Sequence, residues 1–305
     1  MRRGRSSGYH GVLLLSKPRG CTSHDMVARV RRLLGETRIG HTGTLDPDAE
    51  GLLVLCVGQA TRLVTYLQMG EKEYESVFRF GVGTDTDDAV GKIVDWHVCP
   101  YVNSAAVEDV LSHFQGEIEQ QVPHYSAVRV GGKRLHMLAR QGDKSTTPPT
   151  RKVHIFSLTL QRFHTGLFPE ARMGITCGPG TYIRSLARDM GGKLGVPAHV
   201  SFLRRTRSGW FSLADAHTLH TLERVSAEGN WAEIIFPLGQ VLTFFPSVKI
   251  ASEDKARLLA GWPLVWEGDL LATPVRVYTE DGDFCALYRA GADGFALPEK
   301  VFASC

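Results

Sequence analysis

The residues best suited to chemistry lie in one stretch, Ile39–Gly51, which reads IGHTGTLDPDAEG. Gly40 and Gly43 bracket His41, which lets the backbone turn tightly or come close to a ligand. Pro47 disfavours the helical region for the residue before it, so Asp46 takes an extended or turn conformation. A short carboxylate is thus displayed on a Gly/Thr-rich turn, with Arg29, Arg31, Arg32 and Arg38 just upstream. Cations near a carboxylate favour the charged form that a nucleophile or general base needs. Taken alone, the stretch suits a turn-capping aspartate better than an active site. The rest of the chain reverses that balance.

The elements around it follow from periodicity. Val12–Leu15 reads as a strand ending in a turn over Lys17–Gly20. The helix after it takes Thr22 or Ser23 as N-cap and Asp25 in its first turn. Met26, Val27, Val30, Leu33 and Leu34 form its apolar face and Gly35 closes it, while Arg29, Arg31 and Arg32 lie mostly off that face and suit phosphate contact. Leu52–Val57 reads as a buried strand. Tyr74–Thr84 alternates, with Tyr74, Ser76, Phe78, Phe80 and Val82 on one side. The acid-rich loop Gly83–Gly91 lacks the spacing of an EF-hand and reads as a solvated turn with capping aspartates. An amphipathic helix is expected over Ser104–Gln115. Val122–Arg140 reads as a loop, a short strand, a Gly131-Gly132 turn and a short helix. Strands over Val153–Leu160 and Met173–Cys177 lead to Gly178-Pro179-Gly180 and a second amphipathic helix, Thr181–Leu194. Its first N–H groups suit an anion, and Arg184 can pair with a carboxylate.

Composition narrows the class. A chain of 305 residues, 43% hydrophobic and 22% charged, is ordinary for a soluble globular protein of one large and one smaller domain. The net charge is +3, but residues 241–305 carry six basic against nine acidic residues, which leaves +6 on the first 240. Segment 171–210 holds seven Lys/Arg against Asp189 alone, a local excess that suits a polyanion. The six cysteines are scattered without a CxxC pair, which points to neither zinc nor a disulfide framework and fits a reducing cytoplasm. No apolar run reaches the roughly 20 residues of a membrane span. The tail alternates short apolar runs (Val241–Phe245, Leu270–Tyr278, Phe284–Tyr288) with turns and one short helix, Ser252–Ala260, as in a small β barrel.

Seven blocks then coincide with one family: KPRGCTS (17–23), GHTGTLDP (40–47), KEY (72–74), GTDTDDAVG (83–91), YSAVRVGGKR (125–134), GTYIRSLARD (180–189) and HVSFLRRTRSG (199–209). In this order and spacing they resemble the bacterial TruB-type tRNA pseudouridine synthases, from about residue 11 to 215. The resemblance implies an α+β fold. Its large domain, residues 11–239, has a central, mostly antiparallel mixed sheet flanked by helices. A small C-terminal β (PUA-like) domain spans 240–305, and residues 1–10 are a disordered basic arm. It implies Asp46 as the catalytic carboxylate, Tyr74 stacking on the target base, and Arg184 pairing with Asp46. His41 and Tyr182 would contact the flipped uridine and Leu203 would pack in the pocket, with Lys17 and its turn in support. The implied reaction turns uridine at position 55 of the tRNA T-loop into pseudouridine: the C1′–N1 bond breaks, the base rotates, and C1′ rejoins C5. No metal or cofactor, no guide RNA and no membrane are implied, and a monomer in the cytoplasm is expected.

Some residues depart from the family pattern. Asp48 and Glu50 add two acids beside Asp46, where they would raise its pKa if turned inward and are expected to face solvent. His124, Arg129, His136 and Pro179 replace commoner proline, lysine, tyrosine and lysine. The acidic tail is ill suited to phosphate. Two other classes stay open on residues alone. An RNA-binding module would have no use for the carboxylate. A carboxylate glycosidase would need a second acid at defined separation, for which the chain offers no convincing candidate.

Overall fold

The computed structural model describes residues 7–142, 146–266, 273–291 and 294–302. The first part of the chain runs β1 (Gly11–Lys17), α1 (Ser23–Leu34), β2 (Ile39–His41), β3 (Glu50–Val57), α2 (Val64–Leu67), β4 (Lys72–Phe80), β5 (Val82–Thr84) and β6 (Ile93–Trp96). Next come α3 (Ser104–Leu111), β7 (Gly116–Gln121), the hairpin β8 (Arg129–Val130) and β9 (Lys133–Arg134), α4 (Leu135–Arg140), β10 (Thr150–His164) and β11 (Glu170–Cys177). The large unit ends with α5 (Ile183–Lys193), β12 (Ala198–Ser208), β13 (Phe211–Ser212), α6 (Leu219–Glu228) and β14 (Ile235–Pro237). The tail holds β15 (Ser247–Ile250), α7 (Lys255–Leu259), β16 (Leu264–Val265), β17 (Val275–Thr279), β18 (Phe284–Ala290) and β19 (Phe295–Val301).

Ten strands form one sheet in the order β14-β1-β3-β12-β4-β11-β10-β7, with β2 on β3 and β13 on β12. Its pairings are antiparallel except for β12 on β3, where Arg204 faces Glu50 and Arg205 faces Gly51. That contact sets the site, because it brings β12 against the chain just after Asp46. It requires glycine at 51: φ is +103°, and a Cβ there would lie 2.3 Å from the Arg205 carbonyl oxygen. The runs VLLL of β1 and LLVLCV of β3 are apolar on both faces because both faces are covered. Leu13, Leu15, Leu53 and Leu55 pack under α1 and α6, whereas Val12, Leu14, Leu52 and Val54 pack on the other side. A third cluster lies between β4, β10, β11 and the helices α3 and α5, and includes Phe78, Met173 and Leu186.

Helix α1 starts as expected, with a capping box between Thr22 and Asp25 and Gly35 left-handed at its end. Other expectations need correction. The alternation from Tyr74 does not run to Thr84, because Gly81, at φ +85°, ends β4 and Val82 pairs with Trp96 in a separate ribbon. Helix α3 stops at Leu111 and tightens to a 3-10 turn over Ser112–Phe114. Of the arginines on α1, Arg29 pairs with Glu223 and Arg31 donates to the Ile39 carbonyl, so both serve the fold. Residues 1–6 of the expected arm lie outside the described residues, while Ser7 N donates to Glu36 and Tyr9 packs beside α1 and α6.

The tail forms a five-stranded sheet, β15-β17-β18-β19-β16. Val241–Phe245 is no strand: it is a series of turns that buries Val241, Leu242 and Phe245 against β1 and β3 together with Phe284, Leu287 and Phe302. The two sheets therefore share a core. Part of the expected run Leu270–Tyr278 lies outside the described residues, and its described end lies in β17.

Candidate active site

The loop between β2 and β3 is fixed from several sides before any substrate is considered. Ser23, at the start of α1, both donates to the Leu45 carbonyl (3.0 Å) and accepts from Leu45 N (2.9 Å). Lys17, buried at the end of β1, spends its ammonium on the carbonyls of Pro18, Pro47 and Ala49 at 2.9, 3.2 and 2.6 Å. Burial pushes the Lys17 pKa down, and the nearby acids oppose that shift. Ala49 N donates back to the Asp46 carbonyl at 3.1 Å, closing a turn with Asp46 at its head.

Arg184 meets Asp46 from the opposite wall. Its Nε donates to Oδ2 at 2.9 Å and its Nη2 to Oδ1 at 3.1 Å, a two-pronged, charge-assisted contact. Nη1 donates to the Thr86 carbonyl (2.8 Å) and Nη2 also to that of Tyr125 (3.0 Å). The Arg184 side chain is 5% exposed while that of Asp46 is 35% exposed, so the pair presents the carboxylate to the cleft and hides the cation. Gln120 holds the start of α5: its amide accepts from Tyr182 N at 2.8 Å and donates to Tyr182 O at 3.0 Å. Arg184 lies two residues further on.

The floor comes from β4 and β12. Lys72 and Tyr74 share a face of β4, and across the pair Leu203 faces Ser76 and Arg205 faces Tyr74. Burial raises the Tyr74 hydroxyl pKa, with Arg205 opposing. Asp46, Tyr74, Tyr182, Arg184 and Leu203 line one cleft of about 610 Å³, together with Lys72 and Arg205. His41 lies outside that lining. It borders an adjoining cleft of about 570 Å³ that shares the Asp46 loop and is flanked by His24, Arg129 and Arg134. Its Nδ1 is buried without a hydrogen-bond partner among the described residues, and burial lowers the ring's pKa below the usual histidine value.

Asp48 and Glu50 turn away from the carboxylate, each onto an arginine: Asp48 onto Arg19 at 2.6 Å and Glu50 onto Arg204 at 2.5 Å. The reading of Gly83–Gly91 as a solvated turn is only half right. Asp85 and Asp88 do cap backbone N–H groups of the loop. Asp88, however, points inward, its Oδ2 3.8 Å from Arg184 Nε, and Asp87 pairs with Arg188 at 3.0 Å. Burial raises the pKa of both carboxyls. Their only signal in the sequence was an acidic loop in a basic half of the chain. Gln120, Lys72 and Arg205 were also missed as site residues.

The chain matches the sequence profile of TruB family pseudouridylate synthase (N terminal domain) over residues 31–183, and that of the tRNA pseudouridylate synthase B C-terminal domain over 184–243. It is 42% identical to tRNA pseudouridine synthase B of Halalkalibacterium halodurans over 304 residues, covering 96% of this chain and 98% of that one. The protein of the same name from Synechocystis sp. is 46% identical over 255 residues, 84% of this chain and 85% of that one. In the solved structure of an H/ACA RNP bound to a substrate RNA containing 2′-deoxyuridine, one protein superposes with a TM-score of 0.71 at 27% identity, over 96% of this chain and 85% of that one. Fold and site together define a pseudouridylate synthase built on a mostly antiparallel mixed sheet with a carboxylate–arginine pair in its cleft. The chain belongs to the TruB family.

Proposed function

We propose that this chain isomerises the T-loop uridine of tRNA to pseudouridine, with Asp46 as the catalytic carboxylate. The observation that carries the reading is the Asp46–Arg184 pair, held by two hydrogen bonds on the wall of a cleft floored by Tyr74. A uridine inside stacked RNA cannot reach that carboxylate, so the nucleotide flips into the cleft, where Tyr74 and Leu203 offer apolar contact and Tyr182 closes one side. Asp46 then acts on the sugar, by attack at C1′ or by removal of the C2′ proton. His41, on the lining of the adjoining cleft, helps to hold the uridine after it leaves the stack.

The likeness over nearly the whole length of bacterial tRNA pseudouridine synthase B supports action on tRNA without a guide RNA. We take the chain to act as a monomer, since one cleft needs no symmetry, and in the cytoplasm, which its scattered cysteines fit. We divide the chain into an N-terminal arm, a catalytic domain to about residue 239 and a small β domain. No helix among the described residues is long and apolar enough to cross a membrane. The acidic residue missing from the glycosidase reading does exist as Asp88, but Asp46 and Asp88 flank a single buried guanidinium rather than a gap the width of a sugar. An unmodified tRNA transcript treated with the protein, derivatised with carbodiimide and reverse-transcribed should stop at the T-loop uridine. Binding without that stop would contradict the reading and favour an RNA-binding module.

A further inference from the structure

Breaking the C1′–N1 bond of uridine sends its electron pair to the base, so uracil leaves as an anion with charge spread over N1, O2 and O4. Asp46 cannot answer that charge, and Arg184 already spends four of its N–H groups on Asp46, Thr86 and Tyr125. The floor of the cleft holds two cations with no such commitment. Lys72 and Tyr74 lie two residues apart on the inward face of β4, and Arg205 of β12 lies opposite Tyr74. Lys72 is 7% exposed and Arg205 2%. Among the described residues neither forms an ion pair with a carboxylate. Their hydrogen bonds end on neutral carbonyls instead: Lys72 Nζ on those of Gln68 (2.8 Å) and Gly70 (2.6 Å), Arg205 on those of Leu52 (2.9 Å) and Gly43 (3.0 Å).

Burying an unpaired charge is among the most unfavourable things a fold can do, and two side by side also repel. Burial first, and Arg205 second, push the Lys72 ammonium down to about 8. The remaining titratable neighbours, Cys177 of β11 and Tyr74, are no counter-ions, because burial pushes the thiol up to about 11 and raises the phenol as well. A countercharge that arrives with the substrate would account for the pair.

Resting on the reaction proposed above, we propose that Lys72 and Arg205 form a cationic floor that holds the uracil anion while it is detached from the sugar. The C1′–N1 electron pair leaves on uracil, and C1′ is satisfied by an Asp46 oxygen or by loss of the C2′ proton to Asp46. The ring turns, C5 supplies the electron pair of the new C1′–C5 bond, the Asp46–C1′ bond of the first route breaks with its electron pair returning to the carboxylate, and the C5 proton goes to water. On the second route the C2′ proton returns from Asp46. A field from two fixed cations persists as the ring turns, whereas a set of directional donors fitted to one orientation would hold it back.

Fluorine at C5 makes uracil a better leaving group that needs less help. Single-turnover loss of the N1-linked nucleoside at saturating enzyme is compared for transcripts carrying uridine or 5-fluorouridine at the target position. The fluoro ring, with no C5 proton to lose, keeps its fluorine after rejoining and takes up water at C6. Lys72→Met should slow uridine by about 100-fold, the scale of losing one preorganised charge-stabilising group, and slow 5-fluorouridine far less. Lys72→Arg should restore most of the uridine rate. Equal slowing of both substrates would overturn the proposal and leave Lys72 an anchor for the Gln68–Gly70 turn. Weaker transcript binding with unchanged single-turnover rates would overturn it in favour of a phosphate contact. Should Lys72→Met fail to fold, the pH dependence of kcat/KM, which reports the free enzyme, decides. A fall above about pH 8 in wild type that is absent in Lys72→Arg supports the floor, and a fall that persists in Lys72→Arg overturns it. Wild type that converts neither transcript overturns the reaction itself, and this inference with it.

Discussion

At the scale of the residue, the site is a problem of holding one carboxylate still and half-exposed. Arg184 does this with planar geometry as well as charge: two N–H groups reach the two Asp46 oxygens while others reach Thr86 and Tyr125. A lysine would keep the charge but cannot reproduce the fork. Arg184→Lys should therefore lower kcat about 100-fold, roughly 2.7 kcal/mol of barrier, while transcript binding changes little. An unchanged kcat would mean that charge alone suffices. Asp46 was legible only in company: its own stretch suits a turn-capping aspartate, and it is the other blocks, in order and spacing, that reverse the balance. Asp88 was not, because an aspartate that caps its own loop and one that also faces Arg184 look alike until the fold brings α5 against the loop. Lys72 was hidden for another reason. The alternation that marked Tyr74 begins two residues earlier, but a lysine at a strand end reads as a solvated terminus.

At the scale of the element, position is passed from strand to helix to side chain. β7 carries Gln120, Gln120 binds both backbone groups of Tyr182, and Tyr182 begins the helix that carries Arg184. Gln120→Leu keeps the volume but strands the part-buried Tyr182 N–H, costing about 1–3 kcal/mol, while the Tyr182 C=O keeps its bond from Leu186 N. A lower urea midpoint is expected, together with a kcat loss, because the first turn of α5 is no longer pinned over the Asp46 loop. Retained midpoint and rate would show that α5 is placed by its apolar face alone. That face, with Ile183, Leu186, Ala187 and Met190, was readable from helical spacing, as was the cap of α1. The end of β4 at Gly81 was not, since alternation continues through a glycine whose positive φ only the fold reveals.

At the scale of the whole molecule, the small C-terminal sheet is part of the catalytic body's support. Phe284, Leu287 and Phe302 enter the cluster that covers the outer faces of β1 and β3. Across the same boundary Arg62 lies over the Phe302 ring at 5.2 Å, and the Tyr66 hydroxyl donates to Glu299 at 2.7 Å. Phe302→Ala should cost about 3–5 kcal/mol, as for a fully buried phenylalanine, in one transition seen alike by fluorescence and circular dichroism. An early transition of the tail that leaves the activity intact would show the two sheets to be independent. Apolar runs and turns announced a second β unit in the tail. The shared core was not foreseeable, because Val241–Phe245 has the composition of a strand and only its seat against β1 and β3 shows it to be a buried turn.

The most direct measurement is release of tritium to water from tRNA transcripts carrying uridine labelled at C5. Isomerisation leaves the mass unchanged but must expel the C5 hydrogen. About one equivalent per tRNA is expected from wild type, and none from Asp46→Asn, which should bind the same transcript as tightly. Release that survives Asp46→Asn, or wild type that binds tRNA and releases nothing, would contradict an aspartate-dependent pseudouridine synthase.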